Sequence, residues 1–174
     1  MQPERVPTAP AGTDWREYLR QVSIFADLAG NPAALAELYA LMELKSFRPG
    51  QDIMKEGEAG SELYILVEGE ASVYKSTAEG DTYRVAILKA EYHAVLGEGG
   101  LLGADARSAT IRAESTCRCL MLSRGNFEAF AQKSPQWALP VTLRIARAVM
   151  DRLKKVNNDL MLLYNALVAE VRGS

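Results

Sequence analysis

VLGEGGLLGADARSATIRA, the segment from Val95 to Ala113, carries the most information about this chain. Glu98 lies among three glycines, and Arg107 follows nine residues later, where a β-branched run begins. Glycine lets the chain turn tightly, and amides that converge at a short helical turn favour an anion. An arginine adds forked donors that match two phosphate oxygens, whereas a carboxylate accepts hydrogen bonds from a sugar hydroxyl. The segment therefore predicts a pocket for a sugar phosphate.

The order and spacing of these residues resemble the phosphate-binding cassette of the cyclic nucleotide-binding domain family. That cassette has a Gly-Glu pair, a small residue two positions on and an apolar pair. It ends with an arginine followed by a small residue, alanine and a hydroxyl residue. The resemblance extends over roughly residues 20 to 155. The matching cassette residues are Gly97, Glu98, Gly100, Leu101, Leu102, Arg107, Ser108, Ala109 and Thr110.

The resemblance implies a ligand, cAMP or cGMP, and a role for each part of the cassette. Arg107 would pair with the cyclic phosphate, assisted by nearby backbone amides and the Ser108 hydroxyl, and Glu98 would accept a hydrogen bond from the ribose 2′-hydroxyl. The purine would lie against the inward side of a β-roll, and the long C-terminal helix would close over it. The predicted ligand-binding residues are Val73, Ile87, Gly97, Glu98, Gly99, Gly100, Leu101, Arg107, Ser108 and Ala109.

The chain divides into parts that predict different structures. Residues 1–12 hold three prolines and few apolar side chains, which predicts a disordered lead-in. Helices are predicted over residues 13–45, short strands separated by glycine-containing turns over 46–124, and helices over 125–174, with one long helix from about 141. Many short strands at this spacing are typical of a β-sandwich or small barrel. With the resemblance, we expect a mainly β protein, a β-roll or jelly roll with N-terminal helices and a long C-terminal helix.

Prolines and an asparagine predict where individual helices begin and break. Asn31 followed by Pro32 is the pattern of a helix N-cap and first helical position. Pro135 and Pro140 predict breaks ahead of the long C-terminal helix.

The long helix carries an apolar seam in alternating steps of three and four residues. Such a seam over about three heptads is typical of a coiled coil and predicts a homodimer. The resemblance to catabolite activators also implies dimerisation through this helix. The alternative is a helix that lies on its own β-domain. The seam residues are Ala146, Val149, Leu153, Val156, Leu160, Leu163 and Leu167.

Composition argues against several classes of protein. A formal net charge of −2 and a pI near 5.6 lack the electrostatic footprint of a nucleic-acid-binding protein. No apolar run approaches the roughly 18 residues of a membrane span. Cys117 and Cys119 are two apart on a predicted strand, so they face the same side and cannot easily bridge each other. Free cysteines of this kind favour a reducing compartment, so we expect a cytoplasmic protein.

The sequence predicts neither catalysis nor metal binding. His93 is the only histidine, whereas metal-dependent jelly-roll enzymes need several histidine and carboxylate ligands. We expect no cofactor and no enzyme activity.

Two functions remain after these exclusions. The first is a cyclic-nucleotide sensor that signals through its C-terminal helix to a protein effector, without a DNA-binding domain. The alternative is a ligand-silent member of the same fold that acts as a scaffold for protein interaction or dimerisation.

Overall fold

The computed structural model describes residues 15–77, 79–103 and 106–173, and the predicted lead-in lies outside them. The described strands are β1 (Glu43–Phe47), β2 (Asp52–Met54), β3 (Glu62–Glu68), β4 (Glu70–Ser76), β5 (Thr82–Lys89), β6 (Val95–Leu96), β7 (Thr110–Ala113) and β8 (Cys117–Ser123). The described α-helices are α1 (Trp15–Gln21), α2 (Pro32–Tyr39), α3 (Glu98–Leu101), α4 (Arg124–Lys133) and α5 (Pro135–Gly173). Short 3₁₀ helices cover Ser23–Leu28 and Ala90–Tyr92.

The strands form two antiparallel sheets of four strands each, as expected for a β-roll. One sheet has the order β1-β8-β3-β6 and the other β2-β7-β4-β5. Leu66 and Cys119 from the first sheet pack with Ala71 and Ile111 from the second in one buried cluster. The α3 turn lies between β6 of one sheet and β7 of the other, so the glycine-rich segment connects the two sheets.

The first sheet is covered on its other face by helices. Ile65 and Leu122 of that sheet pack in a second cluster with Phe25, Leu38 and Phe130 from the flanking helical segments. All five side chains are buried, which explains why β3 is apolar on both faces rather than strictly alternating.

The predicted start of α2 is confirmed, whereas the start of the long helix was placed too late. The Asn31 side chain accepts a hydrogen bond from the Ala34 amide at 3.0 Å, and Pro32 is the first helical residue. Helix α5 already begins at Pro135 and continues through Pro140 without a break. Pro140 has no N–H, so the helix loses one backbone hydrogen bond at this position. The neighbouring Val141 is buried and holds the helix against the core.

Two further sequence expectations concern β1 and the cysteines. Strand β1 begins at Glu43, a few residues before the predicted boundary at 46. Cys117 and Cys119 are both buried and free on β8, and they share the inner cluster, so the same-face prediction is confirmed.

The distal half of α5 extends away from the β-domain. The last deeply buried residue of the helix is Ile145, and the seam side chains from Val149 onward are exposed, from 40% at Val149 to 69% at Leu163. The alternative of a seam that packs on its own β-domain is therefore wrong. None of the described helices is long and apolar enough to cross a membrane.

Candidate functional site

Arg107 is a buried cation at the point where the two sheets meet. Its side chain is 7% exposed. One terminal nitrogen donates to the Glu62 carbonyl at 2.8 Å, and the other donates to the Glu62 carboxylate at 2.7 Å. Its backbone is fixed as well, because its amide donates to the Glu58 carbonyl and its carbonyl accepts from the Gly57 amide. Glu62 and the two backbone bonds therefore give the Arg107 side chain a defined position in the fold.

Three glycines form a close cradle around this guanidinium. A Cβ atom on Gly60 would lie 2.1 Å from Arg107 Nε, and one on Gly97 would lie 2.5 Å from a terminal nitrogen. The corresponding distance at Gly100 is 3.0 Å. Gly97 also has a φ of 73°, a left-handed conformation that L side chains rarely adopt. Only glycine lets the backbone approach the guanidinium this closely at Gly60 and Gly97.

The α3 turn places Glu98 beside the cradle. Glu98 is the first helical residue, follows directly on Gly97 and is 6% exposed. Its carboxylate accepts a hydrogen bond at 2.8 Å from Arg152, which lies on α5. The same turn uses the Gly100 amide internally, as a donor to the Gly97 carbonyl at 2.9 Å. The buried carboxylate thus links the glycine-rich segment to the long helix by a hydrogen bond.

The other cassette residues have different surroundings. Leu101 turns into the helix-side core, and Gly99 is half-buried on the α3 turn. Ser108 is exposed, and its carbonyl accepts a hydrogen bond at 2.5 Å from Lys75 on β4. Ala109 is half-buried beside it.

Lys75 and Glu56 add a second charged pair next to Ser108. The Lys75 ammonium contacts the Glu56 carboxylate, which also accepts from the Ser76 amide at 3.0 Å. These bonds, the Lys75 contact above all, hold the pKa of the Glu56 carboxyl below its ordinary value. Val73 lies two residues before Lys75 on β4 and packs half-buried against the inner cluster. Val73 and Lys75 therefore lie on the strand that faces the cassette.

Ile87 does not belong to this site. Its strand neighbour Leu88 packs in the inner cluster, and successive side chains on a strand face opposite sides. The register pairs Ile87 with Ser72, and Ser72 with the exposed Arg112 on β7. Ile87 is accordingly 49% exposed on the outer face, opposite to Val73. The prediction that Ile87 lies on the inward side is wrong.

Three residues of the site were missed from the sequence. Gly60, Glu62 and Lys75 are absent from the predicted ligand-binding residues, although all three lie against the segment from Arg107 to Ser108. The described residues include no group of three or more histidine, cysteine or carboxylate side chains that could hold a metal ion.

A buried arginine and a buried carboxylate thus lie beside a glycine-rich turn at the junction of the two sheets of the β-roll. The family model described as "Cyclic nucleotide-binding domain" matches residues 44–134. The chain belongs to the cyclic nucleotide-binding domain family.

Individual relatives agree with this assignment. The chain is 33% identical to cGMP-dependent protein kinase 2 of Mus musculus over 117 residues, which are 66% of this chain and 15% of the kinase. It resembles a cyclic nucleotide-binding domain from Methylobacillus flagellatus with a TM-score of 0.71, 20% identity and 84% coverage of each chain. It also resembles cAMP-bound PfPKA-R with a TM-score of 0.59 and 29% identity, over 66% of this chain and 39% of that one. The chain spans about 15% of the length of the kinase it matches.

Proposed function

We propose that this domain binds cAMP or cGMP as a regulatory ligand and does not transform it. The observation that carries the proposal is the pre-positioned Arg107 guanidinium, buried against Gly60, Gly97 and Gly100 beside Glu98. The proposal is supported by the family of the chain and by relatives whose names include cGMP and cAMP.

Arg107 would be the phosphate anchor. A guanidinium has five N–H donors, and Glu62 accepts two of them. Other donors of the same fork can address phosphate oxygens while Glu62 keeps the guanidinium oriented. The Ser108 hydroxyl and the Ala109 amide would assist from the start of β7.

Glu98 would accept the ribose 2′-hydroxyl and thereby link the ligand to the long helix. One of its oxygens accepts a hydrogen bond from Arg152 of α5. A hydroxyl that donates to the same carboxylate changes the free energy of the Arg152 contact, and so biases the position of α5. A ligand can shift such an equilibrium only by its differential affinity for the two helix positions.

The proposal is tested by thermal unfolding of the full chain with cAMP, cGMP or, as a control, 5′-AMP. A ligand at 100 times its Kd stabilises the folded state by about 2.7 kcal/mol. For a chain of this size we expect the midpoint to rise by roughly 5–10 °C with one cyclic nucleotide and by far less with 5′-AMP. The absence of a shift with both cyclic nucleotides contradicts the proposal.

The role of Glu98 gives a prediction about ligand discrimination. Hydrogen bonds to charged groups contribute about 1.5–3 kcal/mol, so we expect the wild type to prefer cAMP over 2′-deoxy-cAMP by roughly 10-fold or more. Glu98→Ala should lower this ratio to near one in competition binding, because the acceptor is gone. Glu128→Ala, which removes an exposed carboxylate on α4, should leave the ratio unchanged. An unchanged ratio in Glu98→Ala would exclude this role.

The link to α5 gives a prediction about Arg152. Its side chain is 62% exposed, so the ion pair with Glu98 contributes at most about 1 kcal/mol. Arg152→Ala should bind the nucleotide up to about 5-fold more tightly, since no contact has to be changed. Hydrogen exchange in residues 146–159 should respond to ligand in the wild type and in Lys154→Ala, but not in Arg152→Ala. An identical response in all three proteins argues against signalling through this contact.

We also propose that α5 dimerises through its exposed seam, which begins at Val149 and ends at Leu167.

The second candidate function, a ligand-silent scaffold, is favoured by one observation. Arg107 and Glu98 are both paired within the chain, with Glu62 and Arg152 respectively, so neither side chain requires a ligand. The scaffold predicts dimers without any thermal shift in cyclic nucleotide.

A further inference from the structure

The row of side chains on the inward face of β4 ends in a cation. Ala71, Val73 and Lys75 lie on the same side of the sheet, because alternate residues of a strand share a face. Ala71 is fully buried in the inner cluster, and Val73 packs half-buried against that cluster. The Lys75 side chain, by contrast, is 43% exposed. The inward face of β4 therefore changes from apolar to cationic where the strand reaches the surface.

The Lys75 ammonium lies beside the backbone that carries the anion anchor. It donates to the Ser108 carbonyl at 2.5 Å, and Ser108 directly follows Arg107. The Arg107 guanidinium contacts Glu62 on β3 of the first sheet, whereas the Ser108 carbonyl contacts β4 of the second sheet. The segment from Arg107 to Ser108 thus connects the anion anchor to the inward face of β4. A nucleotide with its phosphate on Arg107 can place its base against that face.

The pair formed by Lys75 and Glu56 offers a ligand a hydrogen-bond donor. The ammonium has three N–H donors, of which the Ser108 carbonyl and the Glu56 carboxylate accept two. Each oxygen of Glu56 already accepts a hydrogen bond, one from Lys75 and the other from the Ser76 amide at 3.0 Å. Because Lys75 is partly exposed, its third N–H is open to a bound base.

An aromatic ring lies opposite Lys75 on the same side of the sheet. Tyr83 pairs directly with Lys75 in the β4–β5 ladder, and directly opposed residues share a face. Tyr83 is 52% exposed. Exposed aromatic rings are surfaces on which nucleobases stack, whereas a phosphate group has no flat face to stack. A ring and an ammonium side by side therefore favour a nucleobase over a second phosphate as the group that lies here.

We propose that Lys75 selects guanine over adenine, so that cGMP is the preferred ligand of this domain. Guanine presents two adjacent acceptors, O6 and N7, at the edge where adenine has the N6 amino donor beside N7. A lysine ammonium can donate to both guanine acceptors, whereas it meets another donor at the N6 position of adenine. The inference rests on the proposed function, because it takes the cyclic phosphate to be held by Arg107.

The test is the ratio of the dissociation constants of cAMP and cGMP, measured for the full chain by titration calorimetry. A lysine contact to O6 and N7 discriminates between bases by roughly 5- to 150-fold, so we expect cGMP to bind the wild type more tightly by that factor. Lys75→Met should bring the ratio to near one. Because both constants are measured in the same protein, effects of the substitution on the fold largely cancel in the ratio.

Lys89→Met is the matched control for Lys75→Met. It removes a similarly exposed ammonium from the neighbouring strand β5, where Lys89 pairs with Glu70 at 3.1 Å. This pair lies on the outer face of the sheet with Ser72 and Ile87, so the control should keep the ratio of the wild type. An unchanged ratio in Lys75→Met overturns the proposal, as does an equal loss of discrimination in Lys89→Met.

A ligand analogue tests the same contact in the wild type, without any substitution. Inosine 3′,5′-cyclic monophosphate keeps the O6 and N7 acceptors of guanine and lacks its 2-amino group. It should bind as tightly as cGMP if Lys75 contacts O6 and N7. Binding as weak as that of cAMP would assign the discrimination to the 2-amino group and overturn the proposal. Equal binding of cAMP and cGMP overturns this inference alone, whereas binding of neither nucleotide overturns the proposed function with it.

Discussion

Replacing Arg107 by alanine is expected to weaken the binding of cAMP or cGMP by roughly 30- to 5,000-fold. Truncating one partner of a buried, hydrogen-bonded charge pair costs about 2–5 kcal/mol. The Arg107 side chain is 7% exposed and held by Glu62, so solvent screens the lost interaction little. The dissociation constant is measured by titration calorimetry at one fixed ionic strength.

Arg112 provides a matched control for this experiment. It is an arginine on the same strand region, five residues later, but it pairs with Asp52 on the outer face at 2.7 Å. Arg112→Ala therefore removes the same charge from the chain without touching the cradle, and we expect its affinity to stay within about 2-fold of the wild type. Equal losses in the two variants would show that net charge, rather than the Arg107 position, controls binding.

The second large effect is expected at Gly60. A Cβ there would lie 2.1 Å from Arg107 Nε, and the Gly97 and Gly100 backbones leave the guanidinium little room to retreat. Overpacking a buried site costs about 1–3 kcal/mol, so Gly60→Ala should weaken nucleotide binding by roughly 5- to 150-fold in the same titration.

Gly125→Ala is the matched control for Gly60→Ala, because it adds the same methyl group at a glycine with open surroundings. No atom lies within 4 Å of a Cβ built on Gly125, which is in α4. Gly125→Ala should therefore leave the affinity unchanged. Wild-type affinity in Gly60→Ala would mean that the close contact with Arg107 does not shape the ligand site.

The local features of the fold could be predicted because their causes lie within a few residues. The Asn31–Pro32 pair determines the start of α2 through one side-chain bond to the chain three residues on. The glycine-rich segment likewise brings Gly97, Glu98 and Gly100 together within one turn, so their proximity follows from the sequence. Arg107 could be assigned to the same site because the family cassette gives its spacing from Glu98.

The missed and misplaced residues depend on contacts between distant parts of the chain. Glu62 lies 45 positions from Arg107 and Lys75 lies 33 from Ser108, and no local pattern indicates either pairing. Ile87 was misplaced because the face of a strand residue depends on register. Ile87 pairs with Ser72 and Ala86 pairs with Val73, so Ile87 and Val73 face opposite sides of the sheet, and the sequence alone does not give this pairing.

The most direct test of the account is a crystal structure of the chain grown with cAMP or cGMP. We predict the cyclic phosphate within hydrogen-bond distance of the Arg107 guanidinium, with the ribose 2′-hydroxyl on the Glu98 carboxylate. A nucleotide bound elsewhere, with Arg107 and Glu98 paired only to Glu62 and Arg152, would contradict it.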